Sequence, residues 1–202
     1  AETRIRLDAT RIEKAGYKHF MAKEIAEQPV VIADALKHYC TPDGGLHLPK
    51  GVDFKGIARV TLVACGTASY ACHVAKYWFE QIAGLPADID IASEFRYRDP
   101  VLSPTSMAIF VSQSGETADT LAALKHAKAL GMDRTLAICN VPESAIVRET
   151  ALRFITRAGP EIGVASTKAF TTQLAAFALL TLALAKLNGR LNDADEERHL
   201  TA

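Results

Sequence analysis

Three short stretches concentrate small hydroxyl-bearing residues. They are Cys65-Gly66-Thr67-Ala68-Ser69, Ser112-Gln113-Ser114-Gly115-Glu116-Thr117 and Gly163-Val164-Ala165-Ser166-Thr167-Lys168. Each precedes a segment with apolar residues at helical spacing, so each reads as the link from a strand to a helix N-terminus. A helix N-terminus offers unpaired backbone N–H groups and a partial positive charge. Hydroxyls add donors without adding bulk. Loops of this kind converging on one point make a neutral, donor-rich cradle suited to a phosphate group. One helix end gives an exposed anion only about 0.3–1 kcal/mol. Millimolar affinity already needs about 4 kcal/mol. A single loop is therefore not enough, and other groups must hold the rest of the ligand.

Ser, Thr and Gly before a helix also have an ordinary explanation as caps and turn residues. The density in the second stretch exceeds that need, because one cap uses one hydroxyl and this stretch has Ser112, Ser114 and Thr117. Competing motifs are absent: there is no GxGxxG, no GxxxxGK[ST] and no GxSxG, since Ser112 stands where the first glycine of the last would be.

The elements that must position these loops are legible. RVTLVA (59–64), DIDIAS (88–93), MAIFVS (107–112), TLAICN (135–140) and LRFIT (152–156) read as strands. Helical spacing covers 69–82, 118–130, 144–150 and 167–187, with stops at Gly84, Gly131 and Asn188-Gly189. Three of the strands are apolar throughout, as in a parallel sheet covered on both faces. The expected fold is α/β: a three-layer αβα sandwich with a doubly wound, five-stranded parallel sheet in the flavodoxin-like order 2-1-3-4-5. In such sheets ligands bind beyond the carboxyl ends of the strands, where the three loops fall. Residues 1–58 read as an N-terminal linker or arm, with helical character over 21–39 interrupted by Pro29 and a Gly- and Pro-rich loop at 41–56. The binding domain is expected over 59–190, and 191–202 as a C-terminal tail.

Composition excludes several classes. Lys plus Arg and Asp plus Glu both number 23, so neither a basic nucleic-acid-binding surface nor a polybasic membrane anchor is indicated. The four cysteines contain no CxxC pair, and no histidine has a partner at metal spacing. A reducing, cytoplasmic setting follows from that cysteine usage, and no signal peptide is visible. The apolar stretch 174–185 is too short to span a membrane and reads as a buried helix. The helix at 167–187 is apolar over more than one face, which argues for burial by self-association.

Single residues stay open between two readings. Cys65 is a small strand-end residue or an activated thiol. His73 is a half-buried packing histidine or a functional one. Glu116 is an acid or base, or it complements a helix dipole. Lys168 reaches a phosphate or meets solvent. Tyr77-Trp78-Phe79 spans more than one helix face, so part of it should meet another segment or subunit.

The segments ACGTASYACHVAKYWFE (64–80), IASEFRYRD (91–99), SQSGETADTL (112–121), LAICNVPESAIVRE (136–149) and EIGVASTKAFTTQL (161–174) resemble the sugar isomerase (SIS) domain family. More narrowly, they resemble the first of two such domains in the amidotransferases that make glucosamine 6-phosphate from fructose 6-phosphate and glutamine. HFMAKEIAEQP (19–29) resembles the segment leading into that domain. The resemblance implies sugar-phosphate contacts at Thr67, Ser112, Gln113, Ser114 and Thr117, with Val164 and Ser166 on the sugar side. Gly66, Ala68 and Ser69 complete the first loop. Many members read CGTS where this chain has Ala68, so one side-chain hydrogen bond worth about 0.5–1.5 kcal/mol is replaced by the Ala68 N–H or the Ser69 hydroxyl. No metal or cofactor is implied. The glutaminase cysteine, and the ring-opening histidine, base and Schiff-base lysine of the second domain, have no counterpart here. The resemblance therefore implies a piece of a longer protein, with no catalytic residue in this stretch, that binds the sugar phosphate without turning it over. Its partners would be the second isomerase domain, the glutaminase domain and a second copy. The alternatives are a sugar-phosphate sensor of a SIS-type regulator, which needs a helix-turn-helix that 1–58 does not offer, and a related phosphosugar isomerase or deglycase.

Overall fold

A computed structural model of the chain describes residues 13–41, 45–46, 54 and 56–201. The expected residues of the first arm, 1–12, and most of the loop at 41–56 lie outside that set. Five strands form one wholly parallel sheet: β1 (Arg59–Ala64), β2 (Ala87–Ile91), β3 (Ser106–Ser112), β4 (Thr135–Cys139) and β5 (Leu152–Ile155). Their order is β2-β1-β3-β4-β5, as expected. All seven residues of β3 and all five of β4 are buried, which is why those strands carry no alternation. β2 lies at an edge. Its Asp88 and Asp90 are paired with Arg59 and Arg98, so the edge is charged.

Helices cover both faces. α3 (Thr67–Trp78) and α7 (Lys168–Leu187) pack on one face, over Val60, Leu62, Met107, Ile109, Leu136, Ile138 and Phe154. α5 (Ala118–Ala129) and α6 (Ala145–Glu149) pack on the other, over Val63, Ala108, Phe110, Ala137 and Cys139. Two short elements were not expected. Residues 92–93 do not continue β2; they open α4 (Ala92–Phe95), which buries Ala92 and Phe95 in the second core. The tail holds α8 (Asp193–Thr201), tied to α7 by Lys186 with Glu196.

Pro29 does not break a helix but starts one. The region 21–39 is two helices, α1 (Phe20–Ala26) and α2 (Gln28–Tyr39), with Pro29 in the first turn of α2. Proline has no N–H to lose there. α2 lies against α7 and closes the far edge of the sheet. The Tyr39 hydroxyl donates to the Ile155 carbonyl and accepts from the Ile155 N–H, both at 2.9 Å. One side chain thus satisfies both backbone groups that Ile155 presents at the free edge of β5. Its ring stacks on Phe154 at 3.9 Å, and burial raises its pKa. Tyr39→Phe should cost about 1–3 kcal/mol, measured by urea unfolding, because two buried backbone groups lose their partner.

α7 is apolar all round for a reason internal to the chain. It is long and apolar enough to cross a membrane, with a mean hydropathy of 1.5, yet most of it is buried inside the molecule. α2, α3 and the sheet cover it, and Phe177 meets Phe79 edge-on at 6.1 Å. Its composition therefore gives no separate argument for self-association. The aromatic triplet divides similarly: Phe79 is buried, Trp78 half-buried and Tyr77 exposed.

Candidate functional site

β1 and β3 are neighbours, with Ala64 opposite Val111. The first two hydroxyl-rich loops therefore leave the sheet side by side, at Cys65 and Ser112. β1 continues toward one edge and β3 toward the other, so this is the topological switch point, the usual ligand crevice of the fold.

In the first loop Gly66 has φ 57° and ψ −138°, a conformation that a Cβ would strain. It turns the chain from β1 directly into α3. The Ser69 N–H and hydroxyl both donate to the Gly66 carbonyl, at 3.0 and 2.7 Å. Ser69 is buried and its proton is committed to the loop, so it is placed to brace the turn rather than to face a ligand. Thr67 is exposed and Ala68 half-buried against the core. No side chain caps the first turn of α3. Its leading N–H groups, with the Thr67 hydroxyl, are what this loop presents.

The second loop is folded on itself. The Ser112 hydroxyl accepts the Gly115 N–H at 3.0 Å and lies 2.9 Å from the Thr117 hydroxyl. The Ser114 hydroxyl accepts the Glu116 N–H at 3.2 Å. Thr117 begins α5 without a side-chain cap. The segment after β4 straps the loop down. The Gln113 carbonyl accepts the Asn140 N–H at 3.2 Å, and the Gly115 carbonyl accepts the Ile146 N–H at 3.1 Å. Gly115 has φ +68°, and a Cβ there would collide with Ser144 and approach Cys139 Sγ to 2.8 Å. Glycine is required twice over. Glu116 turns out to cap a helix: its carboxylate accepts the Ala145 N–H of α6 at 2.7 Å. Cys139 is a packing thiol here, its pKa raised by burial.

The third loop departs from expectation. The N-terminus of α7 is already occupied, because the Glu161 carboxylate accepts the Thr167 and Ala169 N–H groups at 2.9 and 3.0 Å. The Ser166 hydroxyl also donates to Glu161, at 3.3 Å. This helix end therefore offers an anion much less than those of α3 and α5, since an internal carboxylate fills the same place. Lys168 meets neither phosphate nor solvent. It is 2% exposed, and its ammonium donates to Glu27 at 2.6 Å. Burial works against ionised Glu27, but the hydrogen bond and charge of Lys168, with Lys23, hold its carboxyl below the usual range. Val164 is exposed and Ser166 half-buried. Among the described residues no hydrogen bond joins either directly to the first two loops. The link is indirect: the Asn140 side chain accepts the Ala158 N–H at 2.8 Å and donates to the Gly159 carbonyl at 2.7 Å.

Asn140, Glu161, Glu24 and Glu27 were not anticipated. Glu161 stands six residues before Thr167, so no capping-box spacing announces it. Other open readings close. His73 is exposed rather than half-buried, and Cys65 is half-buried. The four cysteines are unpaired, and no group of metal-binding side chains occurs among the described residues. A cleft of about 720 Å³ lies elsewhere, beside the edge strand β2, lined by His73, Lys76, Tyr77, Asp90 and Arg98 among others. Its cations are paired, Lys76 with Glu80 and Arg98 with Asp90, and it lies beside β2 rather than between the carboxyl ends of β1 and β3, where the strand order reverses.

A family model for the SIS domain matches residues 54–183. The chain belongs to the SIS domain family. This SIS domain is 55% identical over 196 residues to a glutamine–fructose-6-phosphate aminotransferase (isomerizing) of Bordetella parapertussis, covering 94% of the chain and 31% of that relative. A protein of the same name from Bradyrhizobium diazoefficiens is 55% identical over 190 residues, 93% of the chain and 31% of the relative. Among solved structures, the C-terminal domain of glucosamine-fructose-6-phosphate aminotransferase from Francisella tularensis superposes with a TM-score of 0.89 at 45% identity, covering 94% of this SIS domain and 54% of that chain. The chain thus spans about a third of the length of the curated relatives it matches, 31% in both cases.

Proposed function

We propose that this SIS domain is the first isomerase half-domain of an aminotransferase that makes glucosamine 6-phosphate from fructose 6-phosphate and glutamine. Within it, the loops 65–69 and 112–117 bind the phosphate. The observation that carries the reading is the pair of side-by-side loops at the switch point, each opening a helix whose first turn has no side-chain cap. The phosphate is met by the leading N–H groups of α3 and α5 and by hydroxyls of Thr67, Ser112, Ser114 and Thr117, with Gln113 beside them. Gly66, Ala68 and Ser69 contribute through backbone and turn geometry, which makes the Ala68 N–H the substitute for a missing hydroxyl. Val164 and Ser166 line the sugar. The relatives at 52–55% identity carry the aminotransferase name, which favours this reading over a sensor domain or another phosphosugar enzyme.

The chemistry needs an acid and a base on the sugar and an amine-bearing partner. Lys168 is committed to Glu27 and Glu116 to α6, so the loops bind and orient while catalytic groups come from the second isomerase domain and the glutaminase domain. No cofactor or metal is assigned. We place the binding unit at 59–190, assign the protein a contact with a second copy, and place it in the cytoplasm, where four free thiols persist.

A thermal-shift titration tests the reading. Fructose 6-phosphate or glucosamine 6-phosphate at 100 times its Kd should stabilise the domain by about 2.7 kcal/mol. Fructose should do nothing at the same concentration. Equal shifts from fructose and its phosphate would contradict a phosphate cradle.

A further inference from the structure

The loop that carries Val164 and Ser166 is held from outside the matched domain. α1 lies upstream of residues 54–183, yet its Glu24 carboxylate accepts the Ile162 N–H at 2.6 Å and the Gly163 N–H at 3.1 Å. Glu24 is 2% exposed, so a buried charge is spent on two backbone donors of one loop. Gly163 makes room for it: a Cβ there would stand 2.6 Å from Glu24 Oε2. One turn later on the same short segment, Glu27 takes the buried ammonium of Lys168 at the other end of the loop. Lys23, also buried, lies 3.4 Å from Glu27. Segment 161–168 is thus clamped at both ends by carboxylates three residues apart on α1 and its cap.

We infer that Glu24 is a positioning residue for the sugar-side loop, and that α1 is a handle through which movement of the upstream chain reaches that loop. The inference rests on the sugar-phosphate reading above. It separates two jobs. The phosphate loops are braced internally, by Ser112, Asn140 and Glu116, none of which lies on α1. The sugar-side loop owes its backbone contacts at 162–163 to α1. Shifting α1 should therefore change recognition of the sugar while leaving phosphate binding alone.

The test compares ligands on the 202-residue chain. In Glu24→Ala the sugar-side loop should occupy its competent position about a tenth of the time, which weakens fructose 6-phosphate about tenfold. Inorganic phosphate, followed by amide shifts, should bind as before. Hydrogen exchange at Ile162 and Gly163 should speed up. Glu24→Gln keeps one acceptor oxygen and should recover part of the affinity. Gly163→Ala crowds the carboxylate from the loop side with α1 intact and should reproduce the selective loss, which keeps the test open if Glu24→Ala does not fold. Equal weakening of fructose 6-phosphate and inorganic phosphate would overturn the inference, as a general loss of structure. So would unchanged fructose 6-phosphate affinity with both amides exchanging fast. If the unmodified chain binds phosphate but not the sugar phosphate selectively, the functional reading has failed and the inference falls with it.

Discussion

Gly115→Ala should abolish the proposed fructose 6-phosphate binding and lower stability by roughly 2–4 kcal/mol. Two independent penalties add. A left-handed φ of +68° is costly for any residue with a Cβ, and the Cβ itself runs into Ser144 and Cys139. Neither neighbour can give way cheaply. Cys139 ends a buried central strand, and Ser144 begins α6, whose Ile146 N–H holds the Gly115 carbonyl. Relief must come from the loop, which moves the Ser112 and Thr117 hydroxyls off their 2.9 Å contact and misaims the start of α5. Urea unfolding gives the stability change and calorimetric titration the binding. Adding Ser144→Gly to the variant should return part of the stability, since it removes one clash but not the strained dihedral. A Gly115→Ala protein with unchanged affinity would show that the loop is not the phosphate site.

Glu27→Ala should lower stability by about 3–5 kcal/mol, because it leaves the Lys168 ammonium buried without a partner. The charge matters more than the contact, so the double variant Glu27→Ala with Lys168→Met should recover most of the loss. The pair also sets a pH window. The folded-state pKa of Glu27 is depressed, so the unfolded chain takes up the proton first as pH falls. The contribution is complete above the ordinary glutamate value of 4.5 and is lost as pH drops through the lower folded value. Acid unfolding followed by circular dichroism should show a flatter decline for Glu27→Gln than for the unmodified chain over that range. Parallel curves would mean that Glu27 carries no such linkage.

These two sites differ in how visible they were in the sequence. The Gly115 loop was legible, because its residues are contiguous and follow an apolar run that can only be a central strand. The strand–helix alternation was legible too, but it specifies a doubly wound sheet without specifying which strands are neighbours; the order β2-β1-β3-β4-β5 agrees with the preferred topology of that fold class. The Glu27–Lys168 pair was not, since its members are 141 residues apart. Lys168 in sequence looks like any lysine near a helix start. Glu161 is hidden in the same way: its carboxylate fills the helix end that the hydroxyl-rich pattern leaves open. α7 is buried as its composition requires, and α2 and α3 of the same chain supply a large part of its cover. Pro29 is costly inside a helix because of its missing N–H, whereas in the first turn of α2 that donor has no partner anyway. What periodicity cannot report is which distant polar groups meet, and here those meetings decide how the third loop is held.

In the proposed site an anion is held by two uncapped helix ends and their hydroxyls, with no cation in those loops. A titration with inorganic phosphate, followed amide by amide in a ¹⁵N-labelled sample, tests it most directly. Saturable shifts are expected at Thr67 and Ala68 and at residues 112–119, with Thr167 and Ala169 unmoved because Glu161 holds them. Shifts centred instead on Lys76 and Arg98 in the edge cleft, or on the start of α7, would contradict it.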